Sequence, residues 1–346
     1  MGLLLETVKD HRVVSVVGMA KNTGKTTALG ALIAEARDAG IRLGITSTGR
    51  DGESEDLVTG TAKPRIFLPE GAVATIPTEL YAFADAGLEI LRMTDYRTAL
   101  GRVMLCGAVS EGYAQVAGPV SAEGQTGVCA EMLALGADMV LIDGAVDRRS
   151  VAAPRASDAV ILATGAALSG RVSEVAAETA HVVGLYGLPV LRDAAALAEI
   201  AKHAGEKRIL CLGDETKILD LRTGLAAGAD IGGAIDENSR YICLPGALTR
   251  NMAEGIPANL LKNAAFVVAD PTRIFVDRRA WRRLQGKGLR VFVLSGVKIA
   301  AITVNPYSPA GFFFDSEELL RSVGAAVGDI PVVDVRMRKF WQGKAD

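Results

Sequence analysis

The segment Arg12-Val-Val-Ser-Val-Val-Gly18 and the turn after it constrain this chain more than any other stretch. The run is short, apolar and β-branched, which predicts a buried strand. It leads into Met19-Ala-Lys-Asn-Thr-Gly24-Lys-Thr-Thr27, a polar turn bracketed by Gly18 and Gly24. From Gly24 to Ala39 the apolar residues Leu29, Leu32, Ile33 and Ala36 recur at helical spacing, and Gly40 supplies a stop. A mostly apolar strand that turns directly into an amphipathic helix suits a parallel sheet with both faces covered by helices.

The alternation continues along the chain. Strands are predicted at 41–46, 138–143, 158–163, 208–212, 240–244, 265–269, 290–294, 299–304 and 331–335. Helices are predicted near 122–135, 172–185, 194–203, 279–284 and 316–323. Between Arg65 and Pro119 there are several short apolar runs without clear periodicity. The expected architecture is a three-layer α/β domain over residues 1–187 with a largely parallel sheet, and the Gly18–Thr27 turn between its first strand and helix resembles that of the P-loop NTPase class. A second α/β domain is expected over 188–346, for a partner or a substrate. With 346 residues the chain is long enough for both.

Composition narrows the function classes. Aromatic residues are only 5% of a chain that is 49% apolar, so small aliphatic residues must build the core. The formal net charge of −2 offers no basic surface for nucleic acid or membrane. Cys106, Cys129, Cys211 and Cys243 lie far apart in mostly aliphatic surroundings, which predicts buried reduced thiols and the cytosol. The apolar run after Met1 is too short for a signal peptide, Glu6 spoils a myristoylation signal, and no apolar run approaches a membrane span.

The chemistry concentrates at the first turn. A polyphosphate needs converging backbone N–H donors, which a strand-to-helix turn provides with the helix dipole behind it. Gly18, Lys21, Asn22, Thr23, Gly24, Lys25, Thr26 and Thr27 form the candidate nucleotide-binding set. Gly24 permits close approach, Lys25 reaches the β- and γ-phosphates, and the Thr26 hydroxyl is a candidate Mg²⁺ ligand. Asp143 ends the apolar run Met139-Val-Leu-Ile and is the second candidate metal ligand; parallel strands bring their carboxyl ends to one edge. Gly144 is expected to offer its backbone N–H to the terminal phosphate. Asp51, in Thr46-Ser-Thr-Gly-Arg-Asp-Gly-Glu53, reads either as part of a switch loop orienting water, with Arg50 adding positive charge, or as a solvated loop residue. Lys25, Asp51 and Asp143 are thus the candidate catalytic residues.

Other features read more plainly. Asp147, Arg148 and Arg149 read as a surface turn. With no Asn-Lys-x-Asp segment to read guanine, ATP is favoured over GTP. The three isolated histidines suggest neither zinc nor a nucleophile relay. The basic run around Trp281 reads as a solvated helix face with one buried tryptophan, and Phe312-Phe-Phe314 as core.

Gly18 lies one residue further from Gly24 than the common G-x-x-x-x-G-K-[ST] pattern allows, and this longer loop resembles that of the dethiobiotin synthetase group. The place of the signature lysine of MinD-type relatives holds Ala20. Four stretches resemble the KamB subunit family of lysine 5,6-aminomutase reactivases: Val17-Gly-Met-Ala-Lys-Asn-Thr-Gly-Lys-Thr26, Gly44-Ile-Thr-Ser-Thr-Gly-Arg-Asp-Gly-Glu53, Ala117-Gly-Pro-Val120 and Leu141-Ile-Asp-Gly-Ala145. Ile161-Leu-Ala-Thr-Gly165 adds to them, and the likeness is concentrated in the first half. The resemblance implies a chaperone-like ATPase using ATP and Mg²⁺, working with a companion reactivase subunit on an adenosylcobalamin-dependent aminomutase from which damaged cobalamin must leave. It also implies an oligomer or hetero-complex. Two alternatives stand beside it: a dethiobiotin-synthetase-like ligase or kinase acting on a small metabolite, and a nucleotide-gated scaffold with negligible hydrolysis.

Overall fold

A computed structural model describes residues 2–48, 55–56, 61–62, 65–144, 157–220, 227–341 and 343. Asp51, Arg50, Asp147, Arg148 and Arg149 lie outside the described residues. The chain divides into two compact units, Met1–Ala180 with Lys298–Asp346, and His181–Val297. Among the described residues, no helix is long and apolar enough to cross a membrane.

The first unit is built on a ten-stranded sheet. Its order is Lys339–Trp341, Val332–Asp334, Lys298–Asn305, Ala159–Gly165, Val13–Gly18, Met139–Asp143, Leu43–Ser47, Val73–Pro77, Gly101–Ala108, Leu88–Thr98. Pairing is parallel from Val332–Asp334 across to Val73–Pro77 and antiparallel at both ends. The central strands are buried almost throughout, which is why their sequences are apolar runs rather than alternating ones.

Two helices cover opposite faces near the centre. Lys25–Asp38 buries Ala28, Leu29, Leu32, Ile33 and Ala36 on the face that includes Val14, Val16 and Leu141. Ala122–Ala134 buries Val128, Cys129 and Met132 against Val140 and Ile142 on the other. Each buried Leu, Ile or Val side chain contributes about 1.5–3 kcal/mol, so a face of this kind outweighs the modest intrinsic propensity of a short helix.

Three features differ from the expectations drawn from sequence. The pattern of runs places residues 298–346 with 188–297 in a second domain beginning at 188. The strand Lys298–Asn305 instead pairs along its whole length with Ala159–Gly165, so the chain returns to the first sheet. Hydrophobic runs fix that a strand is buried but not which sheet it joins. The segment 65–120 adds antiparallel strands, including the hairpin Leu88–Thr98 with Gly101–Ala108, to the expected parallel sheet. Register irregularities at Ile90/Arg92 and Met93/Arg97 blur the alternation that would have marked Leu88–Thr98. Phe313 is 72% exposed rather than core.

The second unit has its own five-stranded sheet, in the order Thr216–Leu219, Ile209–Leu212, Tyr241–Cys243, Ala265–Val268, Val291–Val293. Ile209–Leu212 pairs antiparallel with both Thr216–Leu219 and Tyr241–Cys243, whereas Ala265–Val268 pairs parallel with both Tyr241–Cys243 and Val291–Val293. Its core includes Phe266, Ile242 and Trp281; Trp281 is the buried side of the helix Arg278–Gly286, whose Arg279, Arg282 and Arg283 are exposed. All four cysteines are free and buried, and burial pushes the thiols of Cys106, Cys129 and Cys243 up to about 12 and that of Cys211 up to about 11.

Candidate functional site

Val13–Gly18 lies between Ala159–Gly165 and Met139–Asp143, parallel to both. From it the chain proceeds by the Lys25–Asp38 helix to Leu43–Ser47 on one side. From Ala159–Gly165 the sheet continues to Lys298–Asn305 on the other. Connections that leave neighbouring strands in opposite directions open a crevice at the carboxyl end of the sheet, where ligands of open α/β sheets bind.

The turn 19–24 is held at that end of the sheet by specific contacts. The Met19 N–H donates to the Ala163 carbonyl at 2.9 Å. Asn22 and Gly24 both take positive φ, 65° and 90°. The Thr23 side chain is buried, and its hydroxyl donates to the Ala20 carbonyl at 2.9 Å, so its side chain shapes the loop. The Asn305 Nδ2 donates to the Asn22 carbonyl at 2.9 Å, and a Cβ on Gly24 would sit 3.0 Å from the Asn305 Cβ. Lys21 is exposed beside them.

Gly24 is the N-cap of the helix Lys25–Asp38, and no side chain caps that end. The Ala28 N–H closes the first turn on the Gly24 carbonyl at 2.9 Å. The N–H groups of Lys25, Thr26 and Thr27 therefore have no acceptor within the helix. Ser121, Asp193, Asp277 and Asp315, by contrast, cap their helices with side-chain oxygens. Thr26 and Thr27 are exposed at this uncapped end.

Asp143 reaches the same place from the neighbouring strand. Its Oδ1 accepts from Lys25 Nζ at 2.5 Å, and each side chain is 21% exposed. Strand register explains the meeting. Asp143 is opposite Val16 on one side and Ser47 on the other. It also shares a sheet face with Leu141, the face that the Lys25–Asp38 helix covers. The Gly144 N–H donates to the Val16 carbonyl at 3.0 Å. This is the group expected from sequence to be offered to a terminal phosphate; here it pairs with the neighbouring strand.

Beside Asp143, a buried polar network fixes the end of Leu43–Ser47. Gln125 is fully buried; its Nε2 donates to the carbonyls of Pro119 at 2.6 Å and Ser47 at 3.3 Å. Thr75 donates to Thr46 Oγ1 at 2.9 Å, and the Gly118 N–H to the Ser47 carbonyl at 2.7 Å. Any Cβ on Gly118 would collide with Thr46 Oγ1, so the Ala117-Gly-Pro-Val120 segment needs glycine there.

The site thus brings together Gly18, Lys21, Asn22, Thr23, Gly24, Lys25, Thr26, Thr27 and Asp143. Sequence reasoning misses Asn305 and Gln125. Asn305 has a usable signal, since it is a polar residue ending an apolar parallel strand, just as Asp143 is. Gln125 has none, because a glutamine in a helix ordinarily faces water.

Chemically, an uncapped helix N-terminus and a lysine suit a polyanion, while a carboxylate and a hydroxyl oxygen suit a hard cation. Mg²⁺ in phosphate sites takes one or two protein oxygens and completes its shell with phosphate and water, so this small donor set fits it. Among the described residues, no three His, Cys, Asp or Glu side chains gather as a transition-metal site would require. No protein-family model, curated protein or solved structure matches this chain.

Proposed function

We propose that this chain is a P-loop ATPase that binds ATP with Mg²⁺ at residues 18–27 and Asp143. In this reading Lys25 and the N–H groups of the first helical turn hold the phosphates, while Thr26 and Asp143 hold the metal. The observation that carries it is the 2.5 Å approach of Lys25 Nζ to Asp143 Oδ1 at an uncapped helix N-terminus. Two residues 118 apart in sequence, of opposite charge and suited to the two halves of a metal–phosphate ligand, meet at the strand ends where α/β sheets bind ligands. The bound metal would supply charge neutralisation at the phosphate oxygens.

The resemblance supports a more specific role: the hydrolysing subunit of a reactivating factor, with ATP and ADP forms of different affinity for a cobalamin-dependent aminomutase. A second reading, a dethiobiotin-synthetase-like ligase or kinase, is favoured by the long Gly18–Gly24 interval.

Calorimetry with MgATP, together with phosphate release, tests the ATPase reading. Wild-type protein is expected to bind and turn over, and Lys25→Ala to lose both. Unchanged binding by Lys25→Ala would refute the assignment. Affinity for an aminomutase that differs between ATP and ADP supports the reactivase role, whereas turnover that requires a small carboxylic or amino metabolite and phosphorylates or cyclises it supports the ligase or kinase.

A further inference from the structure

We infer that Lys25 and Asp143 neutralise one another, so that the phosphate and metal subsites fill together and each ligand is weakened when offered alone. This rests on the nucleotide reading proposed above. It adds a coupling that the reading does not by itself require.

Each of the two groups has the other as its counter-charge among the described residues. Among the described residues, the only ion pair of Lys25 or of Asp143 is the one between them. Both side chains are largely withdrawn from water, so solvent screens this pair less than the exposed ion pairs of the surface.

Neither backbone is free to move away. Asp143 is held in register between two strands, and its carbonyl accepts from the Thr48 N–H at 3.2 Å. Lys25 opens a helix whose cap, Gly24, packs against Asn305. A ligand must therefore separate the two side chains by rotation about their own bonds, leaving the backbone in place.

The electrostatic consequences differ for each ligand. A phosphate that takes Lys25 leaves a partly buried carboxylate unpaired and facing new negative charge. A divalent cation that takes Asp143 leaves an ammonium group facing new positive charge. The cation–polyphosphate complex supplies opposite charge to both groups at once and strands neither. The coupling between the subsites is thus positive, and by linkage each ligand must strengthen the other by the same factor.

A site mutation ordinarily weakens binding, but here the opposite is expected for one ligand at a time. Removing the carboxylate charge in Asp143→Asn frees Lys25, so this variant should bind ATP in EDTA more tightly than wild type, by about tenfold. It should also lose the gain in affinity that Mg²⁺ gives wild type. Conversely, Lys25→Gln should bind Mn²⁺ alone more tightly than wild type, by a similar factor, read by electron paramagnetic resonance without any nucleotide. Asp143→Ala replaces Asp143→Asn if thermal melting shows that the asparagine variant does not fold.

The outcomes separate the two ideas. Wild-type protein that binds neither ATP nor MgATP overturns the nucleotide reading; the Mn²⁺ comparison still decides the charge pair. Wild-type protein that binds MgATP, with no gain for Asp143→Asn in EDTA, overturns the coupling alone. Equal Mn²⁺ binding by wild type and Lys25→Gln also overturns it.

Discussion

Among single residues, the site depends on positions where only one side chain works. Gly24 has φ +90°, and a Cβ there would press on Asn305 at 3.0 Å. An L-residue in this conformation costs about 1–2 kcal/mol, and the close contact adds to that. Gly24→Ala should therefore lower the melting temperature and also weaken the nucleotide binding proposed for this site, since Lys25 is displaced with the cap. A calorimetric melt indistinguishable from wild type would show that the loop is not held as described. Asn305 is the complementary case. Its amide ties the end of one strand to the loop beyond another, joining residues 283 apart in the chain. Its place at the end of an apolar strand marks it as unusual, but its target cannot be read from sequence.

Among helices and strands, most are legible because burial writes itself into runs and periods. The Lys25–Asp38 helix shows its apolar face at Leu29, Leu32, Ile33 and Ala36, all buried as expected. The helix Ala122–Ala134 is equally legible, yet its most consequential residue is not. Gln125 sits wholly inside and bridges the carbonyls of Ser47 and Pro119. Replacing it with leucine removes the donor to the Pro119 carbonyl and the Oε1 that accepts from the Thr46 hydroxyl at 3.4 Å, at a cost of about 1–3 kcal/mol for each buried group left unsatisfied. Urea denaturation of Gln125→Leu should show a loss of that order; a midpoint unchanged from wild type would mean that the network contributes nothing. The hairpin Leu88–Thr98 with Gly101–Ala108 escapes sequence reasoning for a different reason. Its irregular register breaks the two-residue alternation, and the half-exposed edge strand Leu88–Thr98 carries polar residues on both faces.

Across the entire chain, the second unit is inserted within the first, which closes only when Lys298–Asn305 returns to pair with Ala159–Gly165. The inserted unit has its own response to acid. The Ala196 N–H holds the Asp193 carboxyl below its ordinary range, and the Lys217 ammonium does the same for Asp236. The Ala280 N–H lowers Asp277, and the Arg250 guanidinium lowers Glu254. Because each folded value lies below the unfolded one, these groups stabilise the unit above about pH 4, and that contribution disappears as pH falls through the lowered values. Trp281 is buried in this unit and Trp341 belongs to the other, so Trp341→Phe leaves a single reporter. Its fluorescence should show stability declining below about pH 4; a denaturation midpoint constant from pH 6 to pH 3 would contradict the assignment.

The order of residues is enough to set the local grammar: which segments are buried, where the first strand turns into a helix, and that a carboxylate ends the strand Met139–Asp143. These follow from hydrophobicity and backbone preference, which act over a few residues. Which strands lie side by side, and so which charges meet, emerges only in the folded molecule. Lys25 and Asp143 come together because parallel pairing lines up strand ends, while the Gly144 N–H is taken by Val16 through the same pairing. Strand order is set by the competition of many long-range contacts for one sheet, and no short stretch of residues carries that information.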